Sequence, residues 1–497
     1  MLRSPVLALA LLVGSVTATA APSAPVAPPA RDVAGHWRGS IDGMLRIVMH
    51  FERGADGALR GTMDSPDQGA FGLALDTVVF VRDSLRCELR RIRGGFDAQL
   101  TPAGDTLRGH WRQAGASVPL TLARGAAVAA APARPQEKYP PYPYDTLAVS
   151  FPNTRAASVT LAGTLTLPRG KGPFPCALLI TGSGPEDRDE TVFGHRPFRV
   201  LADHLTRQGI AVLRMDDRGV GGSTGGSRGA TSVDFASDAL AGVEFLRTRA
   251  EIDKRRIGLI GHSEGGMIAP LVATNWKNTT LDVDPAAGMV QVASADVAFI
   301  VMLAGPGVRG DSLMVLQTIA GRRALGVTEA SLAREAEVAR RAFAALAAAD
   351  SAATAREMHA LVELQVLSLP ESARPDSADR AALAHSAFGT LWDPWMRWFA
   401  AYDPAPVLKR VRVPVLALNG AKDFQVTPRE NLAGIEMALK AGGNRDYTVR
   451  ELPGLNHLFQ TCTSCTLAEY SQLEETFAPS ALTIVSDWIR AKTGLTK

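Results

Sequence analysis

Ser263, Asp423 and His457 are the residues whose types and order in this chain could carry nucleophilic chemistry. A serine hydroxyl is a weak nucleophile until a base takes its proton. That base works best when an acid holds it in one tautomer and one orientation. Ser263 lies in Gly261-His262-Ser263-Glu264-Gly265-Gly266. The run before it, Arg256-Ile257-Gly258-Leu259-Ile260, reads as a buried strand. The run after it, Met267-Ile268-Ala269-Pro270-Leu271-Val272-Ala273, reads as the opening of a helix. A strand, a G-x-S-x-G bend and a helix lift a hydroxyl clear of a sheet, with glycines where the backbone is strained and no Cβ fits. The pentapeptide alone is weak evidence in a chain with 46 glycines. The strand and helix around it make it strong.

In such an arrangement the chain order is serine, acid, histidine. Of the nine histidines, His359, His385 and His457 follow Ser263. The acid is expected after a late strand. Val413-Pro414-Val415-Leu416-Ala417-Leu418 reads as that strand, and Asn419-Gly420-Ala421-Lys422-Asp423 turns sharply out of it. The one histidine beyond Asp423 is His457, in Leu455-Asn456-His457-Leu458-Phe459. Asp403, in Tyr402-Asp403-Pro404, is the reserve acid, at the wrong end of the strand. Acyl transfer passes through a tetrahedral oxyanion that backbone N–H groups can bind. One donor is expected at Glu264. The other is expected in Thr181-Gly182-Ser183-Gly184-Pro185, which follows the apolar strand Cys176-Ala177-Leu178-Leu179-Ile180. There the Ser183 amide is the first choice and Gly184 the next. The turn Asp216-Asp217-Arg218-Gly219-Val220-Gly221-Gly222-Ser223 is dense in glycine but lacks the G-x-x-x-x-G-K-[ST] pattern of a phosphate cradle. It reads as scaffold beneath the site.

Together ITGSGPEDRDE (180–190), DDRGVGGS (216–223), GHSEGG (261–266), NGAKD (419–423) and LNHLF (455–459) resemble an α/β-hydrolase, most closely the bacterial serine esterases of the serine-aminopeptidase-like or prolyl-oligopeptidase-like group. The resemblance covers roughly residues 145–497 and implies a carboxylesterase fold. It implies Ser263 as nucleophile, His457 as base and Asp423 as orienting acid. Thr181 departs from the pattern, because many relatives carry histidine there in an H-G-x-G loop. Residues 275–294 make a longer connection than that position usually carries.

The elements that must position these residues follow from the rest of the chain. At 497 residues two or three domains are expected. Hydrophobic content of 46% and charged content of 21% suit a soluble globular protein. A net charge of +3 without a basic run argues against nucleic acid or a membrane surface as partner. Arg3, the apolar Val6 to Val13 and Ala18-Thr19-Ala20 read as a cleavable signal peptide over 1–21. That apolar stretch is too short to span a bilayer, so a periplasmic or secreted protein without membrane insertion is expected. Residues 32–124 show short alternating runs separated by glycine and aspartate turns, an all-β unit. Gly35-His36-Trp37-Arg38 recurs as Gly109-His110-Trp111-Arg112, which suggests that first and last strands pair and close a small barrel or sandwich around two tryptophans. A lipocalin-like barrel holding a ligand is the alternative. Residues 125–144, rich in alanine and proline, read as a semi-rigid linker.

A mostly parallel α/β sheet is then expected over 145–497, interrupted at about 308–400 by a helical cap. Three tryptophans cluster in Leu391-Trp392-Asp393-Pro394-Trp395-Met396-Arg397-Trp398-Phe399. Trp395 and Trp398 are assigned to the substrate pocket, or else to packing the cap on the core. Cys87 and Cys176 read as buried thiols. Cys462 and Cys465 form a C-x-x-C, which in an exported protein favours a local disulfide. The expectation is a serine hydrolase of small-molecule carboxylic esters with short- to medium-chain acyl groups, needing no metal and no cofactor. One rival is an exported aminopeptidase using the same three residues. Another is a non-catalytic ligand-binding protein. Fold analogy cannot choose the substrate.

Overall fold

In the β-rich part of the chain, large apolar side chains recur at every second position, so each strand offers one face to a core and one to water. The structure, a computed structural model, describes residues 32–495 apart from 42–44, 66–69, 93, 114–115, 126–131, 275–295, 370, 372–373 and 376. The expected signal peptide, the proline-rich residues 22–29 and the connection 275–294 lie outside the described residues. Nine antiparallel strands form the first sheet: β1 (Gly35–Ile41), β2 (Leu45–Arg53), β3 (Leu59–Ser65), β4 (Ala70–Ala74), β5 (Thr77–Val81), β6 (Ser84–Leu89), β7 (Gly94–Leu100), β8 (Thr106–Gln113) and β9 (Ala116–Gly125).

First and last strands do pair, β1 with β9, bringing Trp37 opposite Arg124. The second GHWR sits on β8, one strand in from the end, so the two motifs are not direct partners. The spatial order β4-β3-β2-β1-β9-β8-β7-β6-β5 ends on two strands that are consecutive in the chain. Between them the Leu75 amide donates to Gly61 O at 2.9 Å and the Asp76 amide to Glu88 O at 2.8 Å, so the chain itself bridges the two edges of a curved sheet. Its inner face is filled by Trp37, Ile47, Met49, Phe96 and Trp111 among others, all buried in one cluster. The indole Nε1–H of Trp37 donates to Val33 O at 2.7 Å, and the Arg124 guanidinium lies 4.4 Å above the ring.

The second sheet contains β10 (Asp145–Pro152), β11 (Thr160–Leu167), β12 (Phe174–Ile180), β13 (Ala211–Met215), β14 (Ile252–His262), β15 (Ile300–Leu303), β16 (Val415–Gly420) and β17 (Tyr447–Leu452). Its order is β10-β11-β13-β12-β14-β15-β16-β17. Both β10–β11 and β11–β13 are antiparallel, and the remaining pairs are parallel. Strands β13, β15 and β16 are buried along their whole length, as parallel strands covered by helices on both faces must be. The helices are α1 (Pro197–Arg207), α2 (Ser232–Thr248), α3 (Glu264–Ala273), α4 (Gly310–Ala324), α5 (Glu329–Ala347), α6 (Ser351–Leu367), α7 (Ser377–Leu391), α8 (Pro394–Ala401), α9 (Pro404–Leu408), α10 (Pro428–Ala441), α11 (Leu467–Tyr470) and α12 (Pro479–Thr493).

Helices α4 to α8 make up the insertion between β15 and β16, where the cap was expected. Arg322 and Glu335 form an ion pair at 2.9 Å inside it, with side chains 0% and 1% exposed. From β12 the chain adds β13 on one side and then β14 on the other, and in such sheets ligands bind beyond the C-terminal strand ends near that point.

Of the expected linker, residues 126–131 lie outside the described residues. Gly125 closes β9, and from Arg134 onward the chain is bound to the body of the second unit. Arg134 donates to Ser471 O at 2.8 Å, the Gln136 side chain to Phe477 O at 2.7 Å, and Glu137 pairs with Arg196 at 3.0 Å. Polar side chains interleaved with the prolines supply these bonds. Because Trp37 is fully buried, truncating it leaves a large void. Trp37→Ala should cost the β-rich unit about 3–5 kcal/mol, read by urea unfolding followed by far-UV circular dichroism; an unchanged midpoint would mean that the indole is not a core element.

Candidate active site

Ser263 sits between β14 and α3 at φ 52° and ψ −117°, a conformation that L residues rarely adopt and that costs on the order of 1–3 kcal/mol. The surroundings hold it there. The Ser263 amide donates to Leu303 O at 2.8 Å, pinning the bend to β15. A Cβ on Gly261 would lie 1.9 Å from Gly265 O, and one on Gly265 would lie 2.2 Å from Ile180 O. Glycine is therefore required on both sides of the serine, so that α3 can start directly against β14 and β12.

Asp423 lies in the turn that leaves β16. Its Oδ1 accepts the amides of Gln425 at 2.8 Å and Val426 at 2.9 Å, and its Oδ2 faces His457 Nδ1 at 2.7 Å. A carboxylate so bonded only accepts, so Nδ1 carries the proton and Nε2 keeps its lone pair for a hydroxyl. His457 occupies the loop after β17. Asn456 shapes that loop, its Oδ1 accepting from the amides of Leu458 at 3.0 Å and Gln460 at 2.9 Å. A Cβ on Gly420 would lie 2.3 Å from Leu455 O, so the acid and histidine loops are in backbone contact. Ser263 and His457 line one cleft, together with Val192, Phe193, Leu313, Phe399, Val426 and Leu458. Asp403 is elsewhere, capping α9 through the Ala405 amide at 2.9 Å.

The fold is that of the α/β-hydrolases. The strand order, the strained serine between strand and helix, and the acid and histidine on the two loops that follow decide it. The model of the serine aminopeptidase S33 family matches residues 196–362. Esterase EstD of Thermotoga maritima is 28% identical over 301 residues, 60% of this chain and 58% of that protein. The chain thus spans less than two thirds of that relative's length. Among solved structures, the Pyrococcus furiosus esterase Pf2001 superposes with a TM-score of 0.40 at 14% identity, covering 73% of this chain and 99% of that one. The proline iminopeptidase of Mycobacterium smegmatis does so with 0.38 at 14%, covering 70% and 98%.

The early loop is suspended from the glycine-dense turn after β13. Asp217 accepts from the Thr181 hydroxyl and the Glu186 amide, both at 2.9 Å. Thr181 thus anchors the loop through its hydroxyl. Asp216 binds the Arg188 guanidinium at 2.6 Å and the Gly222 amide at 2.9 Å. Ser183 and Glu264 line the cleft beside Ser263, whereas Gly184 is not in its lining. The Gly182 amide already donates to Glu190 at 2.8 Å.

The tryptophan assignment is corrected. Trp395 Nε1–H donates to the Glu264 carboxylate at 2.8 Å, which also accepts from Ser232 at 2.5 Å; burial pushes the Glu264 pKa up. Trp398 stacks on Tyr402 at 4.8 Å. The side chain that α8 sends to the cleft is Phe399, stacked on Trp395 at 5.2 Å. Cys462 and Cys465 are joined in a disulfide. Cys87 and Cys176 are buried free thiols, the former pushed up to about 12 by burial. Among the described residues, no three or more His, Cys, Asp or Glu side chains are grouped to hold a metal, and no helix is long and apolar enough to cross a membrane.

His195, 0% exposed, supports the histidine loop from behind. It bonds Thr476 at 2.9 Å and donates to Tyr470 O at 2.8 Å, and the Tyr470 hydroxyl faces the His457 amide at 3.4 Å. Burial, with help from the charge of Arg134, lowers its pKa to about 4. An unfolded histidine titrates near 6.5, so below that pH the unfolded chain takes the proton first. Stability is retained above about pH 6.5 and lost as pH falls toward 4, by up to about 3 kcal/mol. Urea unfolding at pH 7.5 and 5.0 should show a smaller loss for His195→Gln than for the wild type. Equal losses would contradict this assignment.

Proposed function

We propose that the chain is an exported serine hydrolase of carboxylic esters, acting through Ser263, His457 and Asp423. The observation that carries this reading is the 2.7 Å bond from Asp423 to His457 Nδ1, in the cleft where Ser263 is presented on its strained bend. Ser263 Oγ attacks the ester carbonyl while His457 Nε2 takes its proton. The amides of Glu264 and Ser183 hold the oxyanion. The intermediate collapses, His457 protonates the departing alcohol, and an acyl-enzyme remains at Ser263. Water, deprotonated by His457, releases the acid and restores the serine. The reaction as proposed uses no metal and no cofactor.

The apolar lining by Phe193, Leu313, Phe399, Val426 and Leu458 suits a short- to medium-chain acyl group. The name of the Thermotoga maritima relative points the same way. Export rests on the leader-like residues 1–21. A second reading, an exopeptidase using the same three residues, draws support from the two acidic residues Glu186 and Glu264 among those that line the cleft.

p-Nitrophenyl acetate, butyrate and octanoate should be hydrolysed faster than aminoacyl p-nitroanilides. Ser263→Ala should fall to background, and Asp423→Asn should lose roughly a thousand- to ten-thousand-fold in kcat. Dominant anilide cleavage would favour the exopeptidase. Absence of Ser263-dependent turnover on either class would favour a ligand-binding protein.

A further inference from the structure

His262 directly precedes the serine and lines the cleft with Glu190, yet both of its ring nitrogens are engaged within the protein. Nδ1 lies 2.8 Å from Glu190 Oε1, and Nε2 lies 3.0 Å from the backbone oxygen of His457. A carbonyl oxygen only accepts, so Nε2 must carry a proton. Glu190 Oε1 also accepts the Gly182 amide at 2.8 Å. One proton must then lie between Glu190 and Nδ1. A carboxyl group ordinarily loses its proton near pH 4.3 and imidazolium near 6.5, which places it on Nδ1. Both side chains are buried, at 4% and 7% exposure. Burial pushes the His262 pKa down, but the charge and hydrogen bond of Glu190 together with the His457 carbonyl more than reverse this, and the net shift is upward. The other titratable groups around the imidazole are His457, with ring centroids 4.8 Å apart, Asp423 behind that ring, and Glu186 and Glu264 along the cleft.

We propose that Glu190 and His262 form a buried carboxylate–imidazolium clamp that positions the reacting groups, tying the early loop at Gly182, the strand end before Ser263 and the loop of His457 into one unit. Glu190 and His262 are positioning residues: they touch no reacting atom and act through the Gly182 amide and the His457 main chain. The backbone at Glu190 is itself in the left-handed region, at φ 52°, as expected of a residue held by its side-chain bonds. Losing the clamp frees the His457 loop and the Ser183 segment to drift. Displacements of about 1 Å at such a site cost on the order of a hundredfold in rate. Both side chains line the cleft but are bonded to each other and to the backbone, which leaves ground-state binding to the apolar side chains around them. The proposal rests on the ester-hydrolase reading for its kinetic consequences, but not for the charge state of the pair.

The test combines kinetics on p-nitrophenyl butyrate with ¹⁵N NMR of histidine-labelled protein. Glu190→Gln and His262→Gln should each lower kcat by roughly ten- to a hundredfold, with KM within about threefold. The double variant should be no worse than the poorer single one, because both remove the same device. In the wild type at pH 7 the ring nitrogens of His262, assigned through its absence in His262→Gln, should both be protonated. In Glu190→Gln one of the two protons should be lost. Single variants within twofold of wild type in kcat, losses that multiply in the double variant, or a neutral His262 in the wild type at pH 7 would each overturn the proposal. The wild-type spectrum needs no variant to be active, so a failure of the clamp is distinguishable from a failure of the triad, which Ser263→Ala decides separately.

Discussion

Everything at the cleft depends on Ser263 being held at a positive φ between β14 and α3. The conformation is unfavourable in itself, by about 1–3 kcal/mol. It persists because the bend is anchored at both ends and has no space in which to relax. Leu303 O holds the serine amide, and the backbone oxygens of Gly265 and Ile180 occupy the volumes that side chains at 261 and 265 would need. The same crowding starts α3 directly at Glu264, so that its first amides open beside the serine hydroxyl, where negative charge would develop. The serine bend and the amides that open beside it thus share one steric cause.

The rest of the sheet places partners around that bend. β16 delivers Asp423 and the loop after β17 delivers His457. The backbone contact at Gly420 keeps the two loops together. Asp423 needs no cation: two amides and the His457 Nδ1–H satisfy its oxygens. On the other side, Asp217 and Thr181 suspend the early loop from the turn after β13. The cap adds an apolar wall through Leu313 and Phe399. Its own buried charges are paired, Arg322 with Glu335, so it presents no stray cation to the cleft from that pair.

How much of this could be read in the sequence depended on how local the cause was. The serine bend, the turn carrying Asp423 and the loop of His457 are set by glycines and short-range hydrogen bonds, so residue types in order were enough. The cap as a set of helices was equally visible. Which aromatic of α8 reaches the cleft was not, because each residue turns a helix by about 100° and only packing fixes the face. Phe399 faces the cleft, while Trp395 is claimed by the Glu264 carboxylate. Asp403 did carry a local signal, an aspartate before a proline at the start of a helix, the signature of a cap. The pairing of His262 with Glu190 joins residues 72 apart, and nothing short of the tertiary fold brings them together. The docking of residues 134–137 is of the same kind: Arg134 and Gln136 reach partners more than 300 positions away, and Glu137 pairs with Arg196, 59 positions away.

The central claim, that Ser263 is an activated nucleophile, is tested most directly by covalent trapping. The wild type, Ser263→Ala and His457→Ala should each be incubated with a fluorophosphonate and digested, and the modified peptides identified by mass spectrometry. The account predicts stoichiometric phosphonylation of Ser263 in the wild type, none at that position in Ser263→Ala, and labelling slowed by orders of magnitude in His457→Ala. Labelling confined to another serine, or a rate at Ser263 indifferent to His457, would contradict it.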